Sequence, residues 1–283
     1  MIQKKLNHKP VIIIGAPRSG TKMLRNIITS FDNVSTWPFD EINFMWRHGH
    51  EKNKSDKFSA NDIDENKRNY MREQFNKLSN IKKSQFIVEK TCANSLRVPY
   101  VSKVLPEAKF IYIYRNEYDV IESIFRCWKN GHNKKNFIKK ISWYNRYDLL
   151  EDIYNIFISL MYEFVTGRKK LEWGPKLEDG KNIIEEKDLL KKSIYQWFEC
   201  VSQSKKSEEN ISDNQKLVIK YEDLVTHPYK FVSEISRFLE IPMERYNKND
   251  TKNITSMNIG KGKKELDPKE VKYIENTIAY LEN

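Results

Sequence analysis

The sequence predicts an α/β fold: a doubly wound parallel sheet flanked by helices, with a helical insertion on one side. Two observations predict it. Short β-branched or aromatic runs recur at Val11–Ile14, Phe86–Val88, Phe110–Tyr114 and Leu217–Tyr221, and continuous apolar runs of this length read as strands buried on both faces. Stretches of helical periodicity separate them, and strands alternating with helices build a parallel sheet from βαβ units. Such sheets bind ligands outside the carboxyl ends of their strands, so the residues that follow each strand carry the search for function.

Taken in order, Val11–Ile14 runs into Gly15, a glycine-containing turn follows, and a helix is expected from Thr21 to Thr29. Residues 50–85 are highly charged and Asn-rich and read as helix with loops. Phe86–Val88 is the second strand, and Arg97–Leu105 a helix with Pro99 in its first turn. Phe110–Tyr114 is closed by Arg115. A helix is expected over Asp119–Lys129, with Asp119 as its cap. Leu149–Val165 and Leu189–Val201 are helical pieces on either side of the loop Trp173-Gly174-Pro175. The strand Leu217–Tyr221 leads through Glu222-Asp223-Leu224 to a helix around Phe231–Leu239. Lys252–Lys264 is polar and reads as a loop, and Leu266–Leu281 as the last helix. There is no internal repeat. The expectation is one domain over residues 1–283, with helical segments at about 42–85 and 130–210 added to the sheet.

Composition sets bounds on function. The chain has 283 residues and a formal net charge of +11. That excess fits a lysine-rich composition and equally an anionic partner, but does not say which anion. No zinc spacing, basic helix or aromatic–basic pattern supports a nucleic-acid partner. Cys92, Cys127 and Cys200 are far apart, with no CxxC, so neither a disulfide framework nor a metal site is implied and a reducing, cytoplasmic setting is expected. The apolar run before Gly15 is too short for a membrane span or a signal peptide.

Gly15-Ala16-Pro17-Arg18-Ser19-Gly20-Thr21 is the first chemically informative segment. A glycine-bounded turn between strand and helix lets backbone N–H groups curl round an anion, and the helix adds its positive end. The spacing is P-loop-like. A nucleotide triphosphatase, however, needs Lys followed by Ser or Thr after the second glycine; here Thr21 precedes Lys22, and the cation within the turn is Arg18. The hydroxyl after that lysine would hold Mg²⁺, helped by an acid at a later strand end. The strand FIYIY ends instead in Arg115, which repels a metal and attracts an anion. The ligand is therefore expected to carry phosphate without a required metal. Arg115, with Ser123 eight residues on in the early turns of the next helix, forms a second candidate phosphate site away from the first. A surface pairing of Arg115 with Glu117 or Asp119 is the plainer alternative.

Four segments together carry a family resemblance. GAPRSGTKMLRNII resembles the 5′-phosphosulfate loop of sulfotransferases that use 3′-phosphoadenosine 5′-phosphosulfate (PAPS), of a bacterial type similar to the tyrosylprotein and glycan enzymes. IYIYRNEYDVIESIFRCW resembles their 3′-phosphate segment, with Arg115 and Ser123 at its two key positions. VEKTCANSLRVPYV is similar to the EK[ST] element of glycan-type members, and VIKYEDLVTHPYKFVSEISRFLEI to the YEDL-x-x-x-P element of the superfamily. The likeness spans residues 11–48, 86–129 and 217–265.

The resemblance implies sulfuryl transfer from PAPS, releasing 3′,5′-adenosine bisphosphate (PAP), to a hydroxyl or amine acceptor such as a glycan or another metabolite. Arg18 takes the place of the cation that steadies the departing phosphate, with Ser19, Gly20, Thr21 and Lys22 contacting the same group. Lys90 matches the lysine that approaches the sulfuryl group. Gly260, Lys261, Gly262 and Lys263 match the late loop that closes over the 3′-phosphate, although Lys264 stands where relatives carry an aromatic. Tyr221 lines the nucleotide side or packs in the core. An acceptor hydroxyl must lose a proton, which calls for a general base. Glu41 is preferred and Asp40 follows; adjacent residues in an extended segment point apart. His48 is the third candidate, because imidazole titrates near neutrality. Trp128, Trp143, Tyr144, Tyr147 and Trp173 enrich the acceptor side in aromatics, which suits sugar rings or phenols and equally helix packing. The competing readings are a P-loop nucleotide kinase, which requires Mg²⁺ and ATP, and a PAPS-binding protein without catalysis.

Overall fold

The computed structural model describes residues 5–50, 53–130, 173–177, 189–247 and 254–282. Its strands are β1 (Lys9–Ile14), β2 (Val34–Ser35), β3 (Phe86–Lys90), β4 (Lys109–Tyr114) and β5 (Lys216–Lys220). They form one parallel sheet in the order β2-β3-β1-β4-β5. The chain passes from β1 to the edge strand β2, returns to β3 beside β1, and then crosses to β4 and β5 on the other side. The central strand therefore marks the topological switch point, and the crevice at its carboxyl end is where such a sheet takes its ligand.

Alternation along β1 explains why its sequence reads as unbroken apolar. Val11 and Ile13 enter a core with α1 (Thr21–Ile28), α7 (Tyr221–Thr226) and α8 (Pro228–Leu239). Ile12 and Ile14 face the opposite core, filled by α2 (Asn43–Trp46), α3 (Glu65–Lys82) and α4 (Val98–Val104). Burying each such side chain is worth about 1.5–3 kcal/mol, so β1 anchors both layers at once. On the carboxyl-end side, α5 (Glu117–Asn130) packs on α6 (Leu189–Glu208) through Val120, Ile124, Trp128 and Cys200. Ala16 of the glycine turn belongs to the same cluster. The short α9 (Lys261–Glu265) and the final α10 (Pro268–Glu282) complete the described α-helices.

Among the described residues the expected strands and helices are present, with three corrections. The cap of α5 is Asn116, whose Oδ1 accepts from the backbone N–H groups of Tyr118 and Asp119 at 3.1 and 3.4 Å. Asp119 lies inside the first turn, buried, and has another use described below. The polar stretch 252–264 is not loop throughout: Gly260 adopts φ +68° and starts α9. Five residues without an apolar period gave no sequence signal for that helix. Tyr221 opens α7 rather than ending β5. The expected helix Leu149–Val165, and with it Trp143, Tyr144 and Tyr147, lies outside the described residues. Among the described residues no helix is long and apolar enough to cross a membrane.

Candidate active site

The turn after β1 is shaped by its backbone. Arg18 has φ +70° and Gly20 φ +93°, conformations in the left-handed region that glycine adopts without strain. Any Cβ at Gly20 would also strike the Tyr221 ring. The chain thereby curls into α1, whose first N–H groups have no partner within the helix. Ser19 and Thr21 are buried beneath the turn, whereas the side chains of Arg18 and Lys22 are exposed.

Arg18 and Ser123, assigned to separate sites from the sequence, meet: Arg18 Nε donates to Ser123 Oγ at 2.8 Å. Arg115 lies alongside and donates to the Arg18 carbonyl at 3.2 Å and to the Asn258 carbonyl at 2.7 Å. Its guanidinium covers the Tyr221 ring at 4.2 Å, and Asp119 is 3.5 Å from it. The pairing with Asp119, one of the plainer alternatives, is thus present, with the Asp119 side chain buried rather than on the surface. Arg115 Nε is buried and has no hydrogen-bond partner among the described residues. Tyr221, 5% exposed, is the floor under both Gly20 and Arg115.

Asp119 ties the late glycine-lysine segment to this cluster. Its carboxylate accepts from Gly260 N at 2.9 Å and Gly262 N at 2.6 Å. Gly262 sits so close to the first turn of α5 that a Cβ would overlap the Tyr118 carbonyl; glycine is required there by contact, not by φ. Lys261 pairs with Glu265 at 3.3 Å, and Lys263 lies over the Tyr118 ring at 4.9 Å. The sequence offered one signal for Asp119, an acid four residues beyond Arg115.

On the other side of the turn stands Lys90, at the end of β3 with its side chain 3% exposed. It bonds Glu41 Oε1 at 2.9 Å and Asp40 Oδ2 at 3.1 Å. Both carboxylates reach the same ammonium because the chain bends through residues 38–40; the expectation that only one would point inward assumed an extended segment. Arg25, on α1, holds Asp40 at 2.7 Å and so links this group to the glycine turn. Burial opposes the carboxylate charge of Asp40, but Lys90 and Arg25 prevail and lower its pKa. Burial also opposes the charge of Lys90; Glu41 and Asp40 outweigh it and raise the pKa. Burial lifts the Cys92 thiol well above its usual value, so it stays neutral and the carboxylates supply the attraction. Behind Lys90, burial pushes Glu89 up to about 7, partly offset by hydrogen bonding from Thr91 and by Arg97. His48 is set against Tyr70, ring centroids 3.9 Å apart. Glu89 stood within the EK[ST]-like element, but no role followed from it there, and Arg25, on α1, carried no local signal.

Trp128 and Trp173 pack edge to face at 6.2 Å in the cluster that includes Ala16. Among the described residues no group of three His, Cys, Asp or Glu side chains has a metal-binding arrangement.

A five-stranded parallel sheet flanked by helices, with a glycine turn between its central strand and α1, defines an α/β protein of P-loop-like topology. The model of the sulfotransferase family matches residues 10–159, more than half of the chain, and the chain belongs to that family. Sulfotransferase STF9 from Mycobacterium avium superposes with a TM-score of 0.55 at 11% identity, over 98% of this chain and 76% of that one. The sulfotransferase domain of the Synechococcus PCC 7002 olefin synthase gives 0.52 at 14% identity, over 99% and 98% of the two chains. The sulfotransferase domain from the curacin biosynthetic pathway gives 0.52 at 14% identity, over 97% and 99%. At such identities the likeness speaks for the fold. No curated protein sequence matches the chain.

Proposed function

We propose that this sulfotransferase moves a sulfuryl group from PAPS to a hydroxyl or amine acceptor. The observation that carries the reading is the meeting of Arg18, Ser123 and Arg115 beside the start of α1. The exposed Arg18, bonded to Ser123 at 2.8 Å, joins the open end of α1 to Arg115, whose buried Nε lacks a partner among the described residues. Every group offered is a donor or a cation. This suits two phosphates, and its one carboxylate, Asp119, is already engaged by two backbone N–H groups.

In this reading Ser19, Gly20, Thr21 and Lys22 receive the 5′-phosphate. Arg115 and Ser123 take the 3′-phosphate, with Tyr221 beneath and Gly260, Lys261, Gly262 and Lys263 closing over it. Glu41 removes the acceptor proton as the acceptor oxygen or nitrogen bonds to sulfur. The bond from sulfur to the 5′-phosphate oxygen breaks in line, and Arg18 meets the charge left on PAP; positioned charges of this kind carry most of the catalysis in such transfers. Glu41 is preferred to Asp40 because Asp40 answers to two cations, Arg25 and Lys90, and a doubly paired carboxylate is the weaker base. Lys90 holds both and reaches toward the sulfuryl group. The chain is read as one domain on this sheet, with aromatic Trp128 and Trp173 on the acceptor side.

The test is transfer of labelled sulfuryl from PAPS, in EDTA, to a panel of phenols, sugars and amines. A labelled acceptor is expected. PAP binding without transfer to any of them would favour a PAPS-binding protein without catalysis.

A further inference from the structure

The proposed reaction does not use Glu89, a carboxylate 1% exposed behind the lysine. Its two oxygens are both taken. Oε1 accepts from Thr91 Oγ1 at 2.5 Å, and Oε2 from Asn94 Nδ2 at 2.7 Å. Asn94 Oδ1 accepts from Arg97 Nε at 2.8 Å, which fixes the amide with its nitrogen toward Glu89. Arg97 Nη2 in turn donates to Asn43 Oδ1 at 2.5 Å. On the other branch, a hydroxyl has one hydrogen; Glu89 takes that of Thr91. The lone pair of Thr91 Oγ1 is left facing Ile42 N–H, which donates to it at 3.1 Å.

These bonds close a ring. From Glu89 one arm runs through Thr91 to the backbone of Ile42, and the other through Asn94 and Arg97 to the side chain of Asn43. Both arms end on the two residues that follow Glu41. Each of these donors has one acceptor and each direction is consistent with the next; the remaining Arg97 nitrogen, Nη1, makes no hydrogen bond among the described residues but faces the buried Asp56 carboxylate at 3.7 Å, and connected polar networks of this kind rigidify their surroundings. Strand alternation sends Lys90 the opposite way from its neighbours, to the Glu41 carboxylate. The segment Glu89-Lys90-Thr91 thus holds Glu41 twice, by its side chain and by its following peptide.

We propose that Glu89 and Thr91 are positioning residues for sulfuryl transfer: through the closed ring they fix the Glu41–Ile42 peptide and so aim the Glu41 carboxylate at the acceptor. The inference rests on Glu41 as the base. Misplacing a reacting group by about 1 Å costs on the order of 100-fold in rate, so a slackened ring should register in kcat and leave donor binding alone.

The variants are Thr91→Val, which keeps the shape and removes the hydroxyl, and Thr91→Ser, which restores it. Two readouts are made on the full chain. Amide hydrogen exchange of the peptide containing Ile42 is expected to quicken about tenfold in Thr91→Val and to return to the wild-type rate in Thr91→Ser. With PAPS, kcat should fall about 10–100-fold in Thr91→Val with the KM for PAPS within about twofold, and Thr91→Ser should recover it to within about threefold. Unchanged exchange at Ile42, a rise in KM with kcat intact, or failure of serine to rescue would each overturn the proposal. If Thr91→Val does not fold, Asn43→Ala opens the other arm and should give the same kcat loss; an unaltered kcat would overturn it. A wild-type chain without PAPS turnover would sink the proposed function instead, and the exchange measurement would still decide whether the ring holds the peptide.

Discussion

Replacing Lys90 by methionine keeps most of its volume and deletes the charge on which Glu41 and Asp40 converge. Its side chain is 3% exposed, while those of Glu41 and Asp40 are 34% and 43% exposed. Removing one partner from a fully buried pair costs about 3–5 kcal/mol, and an exposed pair is worth under about 1 kcal/mol. The half-open carboxylates place this loss between, at about 2 kcal/mol, because Asp40 keeps Arg25 at 2.7 Å. For a chain of this size that is roughly 4–8 °C in Tm. The pH dependence follows from Asp40, whose pKa is held below the ordinary 3.8 by Lys90 and Arg25 against burial. A depressed carboxylate contributes stability above its ordinary value and loses it as pH falls through the lower one. The gap between wild type and Lys90→Met should therefore be full at pH 7 and narrow below about pH 3.8, as thermal melts across that range would record. Equal Tm values at pH 7, or a gap that persists in acid, would refute the idea that Lys90 is held by these two carboxylates.

Three further outcomes are expected. Arg18→Ala should lower kcat about 100-fold, the effect of losing one preorganised donor to the departing charge, while the KM for PAPS stays within about threefold; an unchanged kcat would clear Arg18 of that role. Glu41→Gln should cut transfer about 100-fold or more and Asp40→Asn less than tenfold, measured as PAP release, and the reverse order would move the base to Asp40. Glu89→Gln bears on stability. Burial raises the pKa of Glu89 from 4.5 to about 7, so its contribution is present below pH 4.5 and lost as pH rises through 7. Urea unfolding should show wild type losing about 3 kcal/mol relative to Glu89→Gln over that interval, and parallel stability curves would contradict the burial of a titrating carboxylate.

The parts of the fold with strong local signals were legible. β1, the turn and α1 announce themselves through an unbroken β-branched run, two glycines and the helical period that follows. β4 and Arg115 were as plain. Lost were features made by contact between distant segments. Ile42 and Thr91 are 49 positions apart, and no period or spacing relates them. Asp119 carried a correct local argument to a wrong end: an acid at a helix start reads as a cap, but tertiary contact with Gly260 and Gly262 claims the carboxylate and leaves capping to Asn116. Asp40 and Glu41 were set apart by a rule for extended chain that a bend at residues 38–40 suspends. β2, of two residues, is too short to leave a pattern.

The central claim, a donor site built for an adenosine bisphosphate without metal, meets its most direct test in a thermal-shift titration with PAP, with and without Mg²⁺, against ATP. At 100 times the dissociation constant, binding to the folded state adds about 2.7 kcal/mol, roughly 5–10 °C here. The account predicts that shift with PAP irrespective of Mg²⁺ and little with ATP. A shift with ATP and Mg²⁺ alone would contradict it and make the crevice that of a kinase.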